Sequence, residues 1–88
     1  MPLKIQLAGT AFKYLSSLDK PTKTRIKAKL EAIAENPLDP RLSKPLTSST
    51  KRCARVGSYR VLFEFDGETL FVADIGPRGQ IYRNLISN

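Results

Sequence analysis

The chain has 88 residues, of which 15 are lysine or arginine, 8 are aspartate or glutamate and none is histidine, so the formal net charge is +7. A chain this short buries only roughly 60–65% of its extended surface, which predicts a single domain over residues 1–88. Without histidine, catalytic triads that use its imidazole are excluded, and one cysteine among scattered carboxylates gives no spacing typical of a metal site. We therefore expect neither a metal nor another cofactor.

Location and partners follow from the cysteine count and the charge. Cys53 has no second cysteine with which to form a disulfide, and no apolar run near the N-terminus is long enough for a signal segment or a membrane span. A cytoplasmic protein without a membrane partner is expected. The net charge of +7 favours polyanions or an acidic protein as partners, although such a charge can also serve solubility alone.

The first half of the chain predicts a strand followed by two helices. In Leu3–Ala8 apolar and polar residues alternate, which indicates a strand with one buried face. A helix over Ala11–Leu18 follows, with Thr10 as its N-cap. Pro21, which a first turn tolerates, opens a second helix that ends near Asn36. Because the link between the helices is short, they are expected to form an antiparallel hairpin that covers a sheet.

The second half predicts a loop and a three-stranded meander. Residues 37–50 contain three prolines, which indicates an irregular connection. Patterns of period two then predict strands over Lys51–Val56, Tyr59–Asp66 and Glu68–Ile75, separated by tight turns. Gln80–Ile86 is compatible with a last strand or a helix. The expected fold class is α+β, with a small antiparallel sheet of the N-terminal strand and the meander packed on the helical hairpin.

Six cations lie on or after the predicted strands. Alternation along a strand places Lys51 and Arg55 on one side and Arg52 on the other, whereas Arg60 points away from the predicted core. Guanidinium groups bind phosphate oxygens through paired hydrogen bonds, so the choice of arginine favours an RNA-binding surface. The alternative is a solvated charged face that protects a sheet edge from aggregation. The six cations are Lys51, Arg52, Arg55, Arg60, Arg78 and Arg83.

An aromatic residue accompanies the last of these cations. Tyr82 follows Arg78 by four residues, and rings of this kind stack on unpaired bases in RNA-binding proteins. The alternative is that Tyr82 packs at the edge of the core and binds no ligand. The residues alone leave both interpretations open.

Three segments resemble the C-terminal half of toxins of the RelE/ParE superfamily: the run Arg55–Val61, the strand end Asp74–Arg78, and Ile81–Arg83. The order of strand, helical hairpin, loop and meander is also similar to that family over nearly the whole chain. The resemblance implies a RelE-like toxin domain over residues 1–88. In the RelE branch it further implies a ribosome-dependent mRNA endonuclease, which an antitoxin encoded beside it holds inactive.

The resemblance assigns roles to individual positions. Arg60 corresponds to the arginine that supports the scissile phosphate, and Arg55 to a basic residue of the first meander strand. Arg78 corresponds to the arginine after the third strand, and Tyr82 to a base-stacking tyrosine. With Lys51 added from the cation cluster, the predicted catalytic residues are Arg55, Arg60, Arg78, Tyr82 and Lys51. The remaining cations of that cluster, Arg52 and Arg83, are predicted to bind RNA.

Two positions depart from the family pattern. Cys53 stands where many relatives have a lysine or arginine, and Lys51 and Arg52 are possible substitutes for it. Pro77 stands where a histidine is frequent. Arginine is too basic to accept a proton, so the general base would be Lys51, Glu64 or a ribosomal group.

Two other functions fit the same residues. In the ParE branch the fold acts on DNA gyrase by protein contact, and Arg60 would then be structural. A catalytically inactive module that binds RNA or antitoxin is the third possibility, suggested by Cys53 and Pro77. The expected partners are a cognate acidic antitoxin in a hetero-oligomer, and, for the endonuclease, the ribosome and mRNA.

Overall fold

The computed structural model describes residues 2–46 and 50–77. Within these residues, two helices and five strands follow one another along the chain. The sheet has the strand order β1-β5-β4-β3-β2, and the predicted α+β class is confirmed. The elements are β1 (Lys4–Leu7), α1 (Gly9–Ser17), α2 (Lys20–Glu35), β2 (Lys44–Pro45), β3 (Arg52–Val56), β4 (Tyr59–Phe65) and β5 (Thr69–Pro77).

The sheet is mixed, which corrects the prediction of an antiparallel sheet. The meander β3-β4-β5 is antiparallel as predicted, but β1 runs parallel to β5, with Lys4 opposite Thr69 and Leu7 opposite Val72. Tight turns fix the direction of the meander strands. No turn joins β1 to β5, so local sequence does not determine the direction in which β1 pairs.

The strand β2 lies inside the segment that was predicted to be irregular. Lys44 pairs with Cys53 and Pro45 pairs with Arg52, and beyond this pair the N–H of Leu46 donates to the carbonyl of Lys51 at 3.0 Å. A two-residue strand has no detectable period, and proline is tolerated because β2 is an edge strand. The segment that leads from α2 to β2 is thereby attached to the edge of the sheet.

The helices begin one or two residues earlier than predicted. Helix α1 starts at Gly9 with Ala8 as N-cap and no capping side chain, so the prediction of a Thr10 cap is wrong, since Thr10 already lies inside the helix. Helix α2 starts at Lys20, and the carboxylate of Asp19 accepts the N–H of Thr22 as an N-cap. The predicted element over residues 80–86 lies outside the described residues.

The two faces of the sheet differ in what covers them. One face packs on the helices and forms the main core, and a register shift in β5 between Val72 and Asp74 lets both Val72 and Ile75 face the helices. On the opposite face Cys53 and Leu62 form a separate small cluster with Leu46. We call this opposite side the open face. By strand alternation it also carries Lys44, Lys51, Arg55, Arg60, Glu64, Phe71 and Asp74.

The turn between β3 and β4 requires glycine. Gly57 has φ of +59°, and a Cβ at this position would lie 3.0 Å from Nη2 of Arg25. We expect Gly57→Ala to lower the free energy of unfolding by about 1–2 kcal/mol, because side chains are strained in the left-handed region. Gly67→Ala is the matched control, since nothing lies within 4 Å of a Cβ there. Urea denaturation of both variants measures the difference, and equal losses would contradict this account of the turn.

Candidate nucleic-acid interface

Two arginines face each other at the end of the β3-β4 hairpin. Arg55 and Arg60 are register partners on the open face, one pair away from the turn at Gly57. Arg55 is exposed and donates from Nε to the carbonyl of Gly57 at 3.3 Å, and Arg60 is half-buried. Like charges directly opposite one another destabilise a sheet. The pair thus places two guanidinium side chains on neighbouring strands of the open face, an arrangement of charge that suits an anion.

A shallow depression of about 470 Å³ lies beside this arginine pair, between the edge of the sheet and the loop before β2. Leu42, Leu46 and Cys53 contribute apolar groups to its lining. Five cations line it, and no carboxylate is among the described residues that do so. We call this site the basic depression, and its five cations are Lys29, Arg41, Lys44, Arg55 and Arg60.

The wall of the basic depression is shaped by a nearly buried carboxylate. Asp39 accepts hydrogen bonds from the backbone N–H and Nε of Arg41 at 2.9 and 3.1 Å, and its other oxygen lies 2.8 Å from Nη2. The backbone carbonyl of Asp39 accepts the N–H groups of Leu42 and Ser43. These bonds to Arg41 lower the pKa of Asp39 to about 2. The carboxylate is thus held ionised and fixes the turn that carries Arg41.

Arg52 holds the same wall from the helix-covered face of the sheet. Its Nε donates to Oγ of Ser43 at 2.9 Å, and its Nη2 donates to the carbonyl of Ser43 at 3.2 Å. Ser43 is buried, so the loop is anchored at this point. The position gives Arg52 a role in building the wall, and direct contact between Arg52 and RNA stays a prediction.

Lys51 shares the open face with the arginine pair but lies just before β3, at the end of that strand farther from the β3-β4 turn. Its Nζ is 3.9 Å from Oε1 of Glu64, which also accepts a hydrogen bond from the hydroxyl of Thr50. Four residues of strand separate Lys51 from Arg55, which corresponds to about 13 Å. The structure therefore brings Arg55 and Arg60 together and leaves the two predicted proton acceptors apart from them.

The remaining predicted site residues, Arg78, Tyr82 and Arg83, lie outside the described residues. Conversely, the sequence analysis missed Lys29, Arg41 and Lys44, which line the basic depression. Lys29 has the pattern of a solvated helix residue, Arg41 lies in a loop without a periodic signal, and Lys44 belongs to the two-residue strand β2, which is too short to show a period. The run of cations without acidic residues from Lys20 to Leu30 was the one available hint.

A family model assigns the chain to a known protein family. The model described as the ParE toxin of the type II toxin-antitoxin system parDE matches residues 5–82, which is most of the chain. The chain belongs to this family and is a toxin of a type II toxin-antitoxin system. A comparison with curated protein sequences finds no match.

Solved structures of RelE toxins share the fold. An arginine mutant of the toxin RelE from E. coli in the free state matches with a TM-score of 0.78 at 18% identity, over 99% of this chain and 97% of that chain. The toxin-antitoxin complex RelBE2 from Mycobacterium tuberculosis matches with a TM-score of 0.73 at 24% identity, over 89% and 100%. The RelB-RelE complex from Methanococcus jannaschii matches with a TM-score of 0.70 at 26% identity, over 89% and 95%. The predicted RelE-like architecture is thereby confirmed.

Two further properties concern the described residues alone. In residues 2–46 and 50–77, no helix is both long and apolar enough to cross a membrane. The same residues contain no cluster of three or more side chains that could hold a metal ion.

The ionised state of Asp39 predicts a pH dependence of stability. Its pKa of about 2 lies below the ordinary value of 3.8, so between these values the folded chain binds fewer protons at this site than the unfolded chain. The contribution of the ionised Asp39 carboxylate to the free energy of unfolding is therefore complete above pH 4 and is lost as the pH falls toward 2. We expect Asp39→Asn to be less stable than the wild type at pH 6, with a difference that shrinks toward pH 2.

Urea denaturation of both proteins at several pH values between 2 and 6 measures this difference. Subtracting the two curves removes the contributions of other carboxylates, such as Asp66, whose pKa is lowered by the backbone N–H groups of Glu68 and Thr69. A difference independent of pH would refute the role assigned to the Asp39 carboxylate.

Proposed function

We propose that this toxin is a ribosome-dependent endoribonuclease that cleaves mRNA and so inhibits translation. The observation that carries this proposal is the cross-strand pair Arg55 and Arg60 on the rim of the basic depression. A surface with five cations has the charge that a bent RNA backbone requires. The related RelE structures support the proposed endonuclease function only by their similarity of fold.

The arginine pair suits the chemistry of RNA cleavage. When a 2′-hydroxyl attacks the adjacent phosphate, negative charge accumulates on the phosphate oxygens and on the departing 5′-oxygen. Guanidinium groups fixed near the phosphate stabilise this charge more than they stabilise the bound substrate, which lowers the barrier.

The proton acceptor must be a different group. Lys51 and Glu64 pair with one another at the far end of the open face, about 13 Å along the strand from Arg55. This separation favours the third of the predicted bases, a group of the ribosome. An enzyme with an incomplete set of acid and base groups would then cut only mRNA that the ribosome positions.

The proposed partners follow from the charge and from the relatives. The proteins from M. tuberculosis and M. jannaschii were solved as toxin-antitoxin complexes, and a chain of charge +7 suits an acidic antitoxin. We propose a cytoplasmic hetero-oligomer of this chain with such an antitoxin, from which the released toxin binds the ribosome and mRNA. A neighbouring open reading frame that encodes an acidic protein would support this.

A second candidate is favoured by the family model, which is named for ParE. A toxin of the ParE type would contact DNA gyrase and would need no nuclease site. Pulse labelling after induction separates the two candidates. We expect methionine incorporation to stop within minutes while thymidine incorporation continues, and the reverse order would show that translation is not the target.

Removing one arginine should strongly reduce function and leave the fold intact. We expect Arg60→Gln to reduce the rate of mRNA cleavage on purified ribosomes by about 10²-fold, as for other removed transition-state donors. Arg55→Gln should reduce cleavage too, with an unfolding free energy within about 0.5 kcal/mol of the wild type or above it, since one of two opposed charges is lost. New 5′ ends are quantified by primer extension.

Lys4→Gln is the control for charge alone, since Lys4 is an exposed cation on β1, at the opposite edge of the sheet from β2. It should retain nearly full activity. If the wild-type chain binds programmed ribosomes and produces no new 5′ ends, the chain is a non-catalytic binding module. Loss of helical circular dichroism in Arg60→Gln would instead mean that this residue supports the core.

A further inference from the structure

Helix α2 carries two rows of cations, one on each flank of its buried stripe. Lys23 and Lys27 form one row and Arg25 and Lys29 form the other, each pair four residues apart. The Nζ of Lys23 lies 3.5 Å from the carbonyl of Ser16, so the first row faces α1. Lys29 lines the basic depression, so the second row faces the proposed active site.

The row of Arg25 and Lys29 is electrostatically unfavourable in the free protein. Like charges four residues apart in a helix repel each other, and within residues 2–46 and 50–77 no carboxylate forms a salt bridge with either residue. The pKa of Asp19 is lowered chiefly by the hydrogen bond from Thr22 and also by the charge of Arg25, but the Asp19 carboxylate is already bound by the N–H and hydroxyl of Thr22. Asp39 lies close enough to Lys29 for the charge of Lys29 to lower its pKa, but its oxygens are bound by Arg41. An anion from outside would relieve the repulsion.

This row continues directly from the arginine pair. A Cβ on Gly57 would lie 3.0 Å from Nη2 of Arg25, and the carbonyl of Gly57 accepts a hydrogen bond from Nε of Arg55. The guanidinium groups of Arg25 and Arg55 therefore lie against the same glycine of the β3-β4 turn. Cations thus extend from Arg60 on the open face, around this turn, to Lys29 on the helix.

We propose that Arg25 and Lys29 bind phosphates of the substrate RNA strand next to the cleaved bond, so that the strand passes from the open face over the β3-β4 turn to α2. The occupant is a single RNA strand, because one uninterrupted polyanion matches an uninterrupted series of cations that begins at the proposed cleavage site. The inference rests on the proposed endonuclease function and identifies the path of its substrate.

Binding of a short single-stranded RNA tests this without the ribosome. The probe is a fluorescent twelve-nucleotide RNA with 2′-O-methyl sugars, which lacks the attacking hydroxyl, and its anisotropy is measured with the full chain at several salt concentrations. The variant Arg25→Gln/Lys29→Gln should bind more weakly, and its slope of log affinity against log salt should be smaller by about 1.4, or about 0.7 per lost contact.

Lys23→Gln/Lys27→Gln is the matched control, with the same change in charge, spacing and helix. It should leave the slope unchanged. Lys29→Gln alone, which does not touch the β3-β4 turn, should lower the slope by about 0.7, so the test does not depend on the folding of the Arg25 variant.

Equal losses in both double variants would overturn the inference, because net charge alone would explain them. The inference would also be overturned if the row variants bound the probe normally and lost only ribosome binding, since the row would then contact ribosomal RNA. It would equally be overturned if they lost only the binding of an acidic protein. If the wild-type chain cleaves mRNA on the ribosome and the row variants bind the probe normally, this inference fails and the proposed function stands. If the wild type neither binds the probe nor cleaves mRNA, both fail.

Discussion

The candidate site depends on one pairing of like charges, the placement of Arg55 directly opposite Arg60 across an antiparallel pair. A sheet gains nothing in stability from two like charges at this spacing. Most local features of the chain agree with its fold: the glycine at the turn, the proline in the first turn of α2 and the apolar stripe of that helix. Where a sequence departs from this consistency, a functional site is the usual reason.

The rest of the structure holds this pair on a rigid support. The helices cover one face of the sheet, which leaves the hairpin anchored by Val56, Val61 and Phe63 beneath its arginines. On the edge, Arg52 anchors Ser43, and Asp39 fixes the turn that carries Arg41. The cations of the basic depression therefore come from α2, the loop before β2, and the strands β2, β3 and β4, and they line one surface. Arginines fixed in this way can stabilise a transition state without prior rearrangement.

Sequence reasoning predicted the parts of the fold that have local signals. The period-two strands, the helical stripes and the turn at Gly57 gave the meander and both helices to within a few residues. Register across that turn could not be derived from alternation alone, so the direct opposition of Arg55 and Arg60 emerged only from the structure. The parallel pairing of β1 and the two-residue β2 were missed because long-range contacts determine them.

The candidate site was predicted only in part for the same reason. Arg55 and Arg60 were recognised because they lie on strands within a motif, whereas Lys29, Arg41 and Lys44 reach the depression through the path of a loop and the position of a helix. Lys51 was grouped with the arginines because it is near them in sequence. In an extended strand, however, four residues are enough to separate two side chains by the width of a nucleotide or more.

A double-mutant cycle between Arg55 and Arg60 tests the central claim most directly. Unfolding free energies and affinities for a non-cleavable RNA are measured for the wild type, Arg55→Gln, Arg60→Gln and the double variant. We expect a repulsive coupling in the free protein: either single substitution removes the repulsion, so the second one adds no further unfolding free energy. We also expect the losses of RNA affinity to be non-additive. Independent, additive effects on both quantities would contradict these expectations.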